Sequence, residues 1–141
     1  MVSFDSTKET RLQELQWKIL MGIYPSGTML YKMKLRQSEL CEYCNARDDI
    51  EHFFFNCLVL RRLWETVSST LNAIFGKRLD ISRESVIFGW LYLEGLNKTQ
   101  LAKANELLLV AKLCVSKYKY GKTMAPQYLF ENEIRLRNLH V

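Results

Sequence analysis

Three of the four cysteines and one of the two histidines fall within seventeen residues, in the order Cys41-x2-Cys44-x7-His52-x4-Cys57. Thiolate sulfur and imidazole nitrogen are the donors that a Zn²⁺ ion takes, four at a time and tetrahedrally, in closed structural sites. A tight loop between Cys41 and Cys44 turns both sulfurs to one point. His52 and Cys57 must then bring the second pair. Their five-residue offset slightly overshoots one face of an α-helix. The spacing therefore predicts His52 at the start of a short helical turn and Cys57 at its end, with Phe53, Phe54 and Phe55 packed inward beneath the metal. Four protein ligands leave no coordination position open, so such a zinc does not activate water.

A C-x-x-C pair also suits dithiol redox chemistry, but that motif belongs after a strand in a βαβ unit, and no such pattern surrounds Cys41. Cys114 stands apart in the apolar run Leu107–Cys114 and reads as a small buried hydrophobe. Asp48 and Asp49 are adjacent, so their side chains diverge and form no acid–base pair. No glycine-rich phosphate loop, G-x-S-x-G elbow or H-E-x-x-H helix is present. No catalytic residues are assigned, and the chain is not read as an enzyme or as a binder of small-molecule substrates.

The elements that must position the ligands read as helices. Ser6-Thr7-Lys8-Glu9 has the form of a capping box. Leu12, Leu15, Ile19, Leu20 and Ile23 follow as a helical stripe, with Trp17 off its centre. Tyr24-Pro25-Ser26-Gly27 ends that helix, and Thr28 is placed to cap a short second one, Met29–Met33. After Cys57, the residues Leu60, Trp64, Val67, Leu71 and Ile74 keep helical period, with Gly76 as the stop. Ser82–Gly89 reads as a short helix or turn ending at the glycine, and Trp90–Leu93 as an apolar connection. Asn97-Lys98-Thr99-Gln100 caps the longest helix, whose broad apolar face runs from Leu101 through Ala104, Leu108 and Ala111 to Val115. Lys112, Lys117, Lys119 and Lys122 lie toward its C-terminal end, where positive charge complements the helix dipole. Tyr128–Leu139 is the last amphipathic helix, and His140 is expected in solvent. No hairpin signal appears. The expectation is an all-α fold, five to seven helices in one domain over residues 1–141. One CCHC zinc knuckle staples it, with the zinc stretch at 41–57 and a helical part at 58–141.

The chain has 141 residues, with 48% hydrophobic and 25% charged, ordinary globular values. Three thiolates remove three charges and the ion returns two, taking the formal net charge from +5 to +4. A mildly basic balance is compatible with nucleic acid. Lys32, Lys34, Arg36 and Arg47 flank or enter the zinc stretch, and Arg61 and Arg62 follow it. They read as candidate nucleic-acid-binding residues, with Tyr31 and Tyr43 as stacking candidates. For Lys32, Lys34 and Arg36 the alternative is a solvated face. For Arg61 and Arg62 it is neutralisation of the thiolate cluster and of Asp48 or Asp49. Clustered cysteines in metal-ligand spacing point to a reducing intracellular setting, nucleus or cytoplasm. No secretory signal pattern is present, and no apolar run approaches the ~20 residues needed to cross a bilayer.

Together these residues resemble a known family. Leu15-Gln16-Trp17-Lys18-Ile19-Leu20, Ile23-Tyr24-Pro25-Ser26-Gly27, Leu30-Tyr31-Lys32-Met33, Leu40-Cys41-x-x-Cys44, Ile50-Glu51-His52-Phe53-Phe54-Phe55-x-Cys57 and Trp64 are similar to the zinc-binding region at the C-terminal end of non-LTR (LINE-type) retrotransposon reverse transcriptases. Leu96-Asn97 and the helix carrying Leu107–Lys112 resemble the segment that follows it there. The resemblance implies zinc-ligand roles for Cys41, Cys44, His52 and Cys57. It also implies a module handling RNA or single-stranded DNA in target-primed reverse transcription, with the rest of a reverse transcriptase as a possible partner. The family's Tyr/Phe-x-Asp-Asp polymerase motif does not occur, and Arg47-Asp48-Asp49 lies in the zinc loop. The chain thus looks like a detached C-terminal fragment or a domesticated or decayed remnant. The competing expectation is a structural or protein-interaction domain in which zinc only stabilises the fold.

Overall fold

The computed structural model describes residues 10–121, 124–137 and 139. The Ser6–Glu9 capping box, Lys122 and His140 lie outside them. Among the described residues there is no strand, only an isolated bridge between Leu40 and Arg47. The chain forms α1 (Thr10–Leu20), α2 (Gly27–Lys32), α3 (Arg61–Phe75), α4 (Arg83–Phe88), α5 (Lys98–Gly121) and α6 (Pro126–Leu136). A π-helical turn (His52–Asn56) and a 3₁₀ turn (Leu58–Leu60) connect α2 to α3.

The long helix α5 is the axis of the core. Leu107 to Ala111, Cys114 and Val115 are all inaccessible to solvent. A helix apolar on so many sides must be covered on most of them, and α1, α3 and α6 do so. Its cap is the expected one: Asn97 Oδ1 accepts from the Gln100 amide and Gln100 Oε1 from the Asn97 amide. Leu63, Val67 and Leu71 carry α3 into the core, and Gly76 ends it with φ at 69°. The Ser82 hydroxyl caps α4 through the Ser85 amide. Asn105, buried on α5, pins the Trp90 backbone: its Oδ1 accepts the amide at 2.7 Å and its Nδ2 donates to the carbonyl at 2.9 Å.

Several local expectations are corrected. Ser26, not Thr28, holds the N-cap position of α2. The helix starts early because Asp48 closes on it. A Cβ added at Gly27 would sit 2.6 Å from Asp48 Cβ, so only glycine admits this approach. The last helix begins at Pro126, which needs no amide partner at N1, and ends at Leu136. Ile23 lies past the end of α1 and is exposed. Of the α5 lysines expected near its C-terminal end, Lys119 does stand in the last turn, buried against the zinc stretch, whereas Lys112 is wholly buried in mid-helix and Lys117 pairs with Glu133 at 2.7 Å. No helix among the described residues is long and apolar enough to cross a membrane.

Candidate metal centre

The Cys41–Cys44 arm is a tight hairpin. The Cys41 amide donates to the Ala46 carbonyl and the Asn45 amide to the Cys41 carbonyl. Asn45 takes φ 58°, a left-handed turn that asparagine tolerates. The Tyr43 amide points at Cys41 Sγ, 3.4 Å away. Leu40 and Arg47 close the base of the hairpin as the bridge pair.

The second arm solves the spacing problem with a π turn. The Cys57 amide donates to the His52 carbonyl at 3.1 Å, a five-residue bond. A π turn brings i and i+5 to one side, where an α-helix would carry Cys57 past the metal. Asp49 Oδ1 accepts the His52 amide at 2.8 Å at the entry to the turn. Phe53 and Phe54 are buried under it, edge to face at 4.8 Å, and Phe54's carbonyl accepts from the Trp64 indole. The expected inward aromatics are therefore in place, with Phe55 half-buried against Trp64.

The four ligand atoms lie within 4.8 Å of one another. Cys41 Sγ and Cys57 Sγ are 3.7 Å apart, and Cys44 Sγ and Cys57 Sγ are 3.9 Å apart. Zinc–sulfur bonds of about 2.3 Å in a tetrahedron require sulfurs about 3.8 Å apart. His52 Nε2 is 3.0 Å from Cys44 Sγ, about half an ångström tighter than the corresponding edge. The ring must back off slightly to take a metal. The set fits one zinc ion.

The electrostatics call for a cation. Burial pushes the Cys57 thiol up to about 11, against the pull of the Val59 amide and Lys119. Burial also works to raise Cys44, but the Leu58 and Ala46 amides and the neighbouring thiols outweigh it, and its net shift is downward. Burial, then Lys119, lowers His52 and keeps its ring neutral, the form that ligates. A metal bound here would take the place of the thiol protons, so loading releases protons.

Of the predicted basic residues, Lys32, Lys34, Arg47, Arg61 and Arg62 are exposed. Arg36 is half-buried, 3.5 Å from Asp48 and donating to the Leu40 carbonyl at 2.7 Å. Arg61 pairs with Glu65 one turn on, in solvent. Neither Arg61 nor Arg62 reaches Asp48 or Asp49: Arg36 holds the first, and the second accepts the His52 amide. Tyr31 is exposed, whereas Tyr43 has one face covered by Tyr118 at 5.9 Å.

The C-terminal turn of α5 was not legible as part of this site. Ser116 bonds the Tyr24 hydroxyl, Tyr118 stacks on Tyr43, and Lys119 donates to the Phe53 carbonyl at 2.8 Å. Tyr120 donates to the Pro25 carbonyl and packs on Phe53. The one signal was the interleaving of lysine and tyrosine at 117–120.

Searches of the curated proteins and of the solved structures found no match. Residues 2–64 match the family model described as zinc-binding in reverse transcriptase, a zinc-binding domain rather than a polymerase catalytic domain. All four ligand residues fall inside that span. Residues 2–64 are thus similar to the zinc-binding segment of reverse transcriptases, and Cys41, Cys44, His52 and Cys57 within them are the set that could hold one zinc ion.

Proposed function

We propose that this chain is the non-catalytic zinc module of a non-LTR (LINE-type) retroelement reverse transcriptase and binds RNA or single-stranded DNA during target-primed reverse transcription. The observation that carries the reading is a closed four-ligand site bordered in the chain by exposed Lys32, Lys34, Arg47, Arg61 and Arg62. Zinc fixes the backbone of a loop that would otherwise be too short to hold its charges in place. The cations then contact phosphates, and exposed Tyr31 offers a face for a base. Arg36, tied to Asp48 and Leu40, contributes a cation of fixed orientation.

The test is fluorescence anisotropy of zinc-loaded protein with labelled single-stranded RNA and duplex DNA across a salt series. Affinity should fall linearly in log–log salt. The Arg61→Glu/Arg62→Glu variant should bind weakly and flatten the single-strand slope by about 1.4, two phosphate contacts' worth. Absence of binding at low salt by folded, zinc-loaded protein removes this reading.

A second reading is favoured by a different surface. Phe88, Leu91 and Tyr92 stand exposed together around a groove that also includes Leu20 and Trp90. Contiguous exposed apolar side chains mark protein contacts. On that reading the chain is an interaction domain stabilised by zinc, and charge reversal at Arg61 and Arg62 leaves its partner binding intact.

A further inference from the structure

Lys119 is 7% exposed, and its ammonium has no carboxylate partner among the described residues. It donates to the carbonyl of Phe53, the residue directly after the ligand His52, and lies 4.5 Å from the centre of the Phe53 ring. It lines the same cleft as the ligand Cys41. A buried ammonium without an anion is costly, and the attraction of an aromatic face offsets only part of that cost. A zinc ion with three thiolates and a neutral imidazole carries a net charge of −1 and supplies a counter-charge beside Lys119; the same cleft also holds Glu42 and Asp48, the latter paired with Arg36. Helix α5 delivers the lysine to this point because Tyr118 and Tyr120 on either side of it clamp Tyr43 and Phe53.

We propose that Lys119 is the positioning cation of the metal centre: its buried positive charge balances the three-thiolate zinc site and sets how tightly the metal is held. The proposal rests on zinc occupying the four ligands, and it assigns to that site a residue fifty-five positions beyond the segment matched to the zinc-binding family. Outer-shell groups of this kind change metal affinity roughly 10–100-fold.

Zinc affinity of the full chain is measured by competition with a chromophoric chelator, and Co²⁺ loading is followed by its thiolate charge-transfer absorption. Lys119→Gln keeps a donor for the Phe53 carbonyl without the charge. Lys119→Arg keeps the charge. Lys117→Gln removes a lysine from the same turn that pairs with Glu133 instead. Expected are zinc binding about tenfold weaker in Lys119→Gln, most of the affinity restored in Lys119→Arg, and no change in Lys117→Gln. Should Lys119→Gln not fold, Lys119→Met serves as the neutral variant, since its unbranched chain keeps the contact over Phe53. Neutral variants that hold zinc as tightly as the wild type overturn the proposal. So does a Lys119→Arg variant as weak as Lys119→Gln, which would make packing rather than charge the cause. A wild-type chain that takes up no zinc overturns the metal site itself and this inference with it.

Discussion

Lys112 gives the most quantitative test of the core. It is completely buried, and its Nζ donates to Gln16 Oε1 and to the Val86 carbonyl, both at 2.5 Å. Gln16 in turn donates to the Ile87 carbonyl at 2.7 Å, so one amine ties α1, α4 and α5 together. A neutral amine has two N–H donors, and two acceptors are supplied. An ammonium would bring a third donor and a charge, with no carboxylate among its bonded partners. Burial accordingly pulls Lys112 from 10.5 down to about 7. Between those values the unfolded chain binds a proton that the folded chain does not, so stability rises with pH across that window. Below about pH 7 both states are protonated, and the contribution of this group is flat. From pH 7 to pH 9 the gain is on the order of 1 kcal/mol per unit, about 2 kcal/mol in all. The window stops at 9 because Cys114, which burial pushes from 9.0 up to about 12, acts in the opposite direction above that pH. Urea denaturation of the zinc-loaded protein at pH 7, 8 and 9, followed by far-UV circular dichroism, reads the slope. Lys112→Met should lose it. The hydrogen bonds lost in that variant cost the same at every pH, so they cancel when each protein is compared with itself. Parallel pH dependences for the wild type and Lys112→Met would refute the assignment of a neutral buried lysine.

Stripping zinc with a chelator, or the substitution Cys41→Ser, should unfold the 41–57 stretch and loosen the helices seated on Phe53 and Phe54, seen as loss of near-UV circular dichroism. Structural zinc contributes on the order of 10–16 kcal/mol, as much as a whole domain's stability. Gly27→Ala should cost about 1–3 kcal/mol in urea denaturation, because its new Cβ meets Asp48 Cβ at 2.6 Å. Asn105→Leu leaves the Trp90 amide and carbonyl without their partner and should cost about 1–3 kcal/mol. The same change should move the Trp90 fluorescence to the red as the 90–93 connection loosens. A chain ending before Ser116 should bind zinc more weakly than the full chain in the chelator competition, since it lacks the turn that holds Tyr24, Tyr43 and Phe53. Equal affinity would show that the first half of the chain holds the metal unaided.

The sequence by itself determined what depends on neighbours along the chain. Ligand type and spacing specify the metal, because two residues between cysteines fix where the sulfurs can meet. The glutamine three residues after Asn97, the serine before Arg83 and the glycine after Phe75 mark helix ends, because the groups they satisfy lie within one turn. The apolar run through Leu107–Val115 announces a buried helix. What only the tertiary structure decided depends on residues far apart in sequence. Lys112 and Lys119 look from their positions like charges at a helix end, and only the packing of α1, α4 and the π turn around α5 shows that both are buried and what each holds. Gly27 reads as half of a turn until Asp48, twenty-one residues away, closes upon it. The π turn between His52 and Cys57 is likewise set by closure around a common point, since no local propensity selects a five-residue bond. Charge and hydrogen-bond demands of buried groups are met across the fold, so pattern along the chain locates the groups but not the partners that satisfy them.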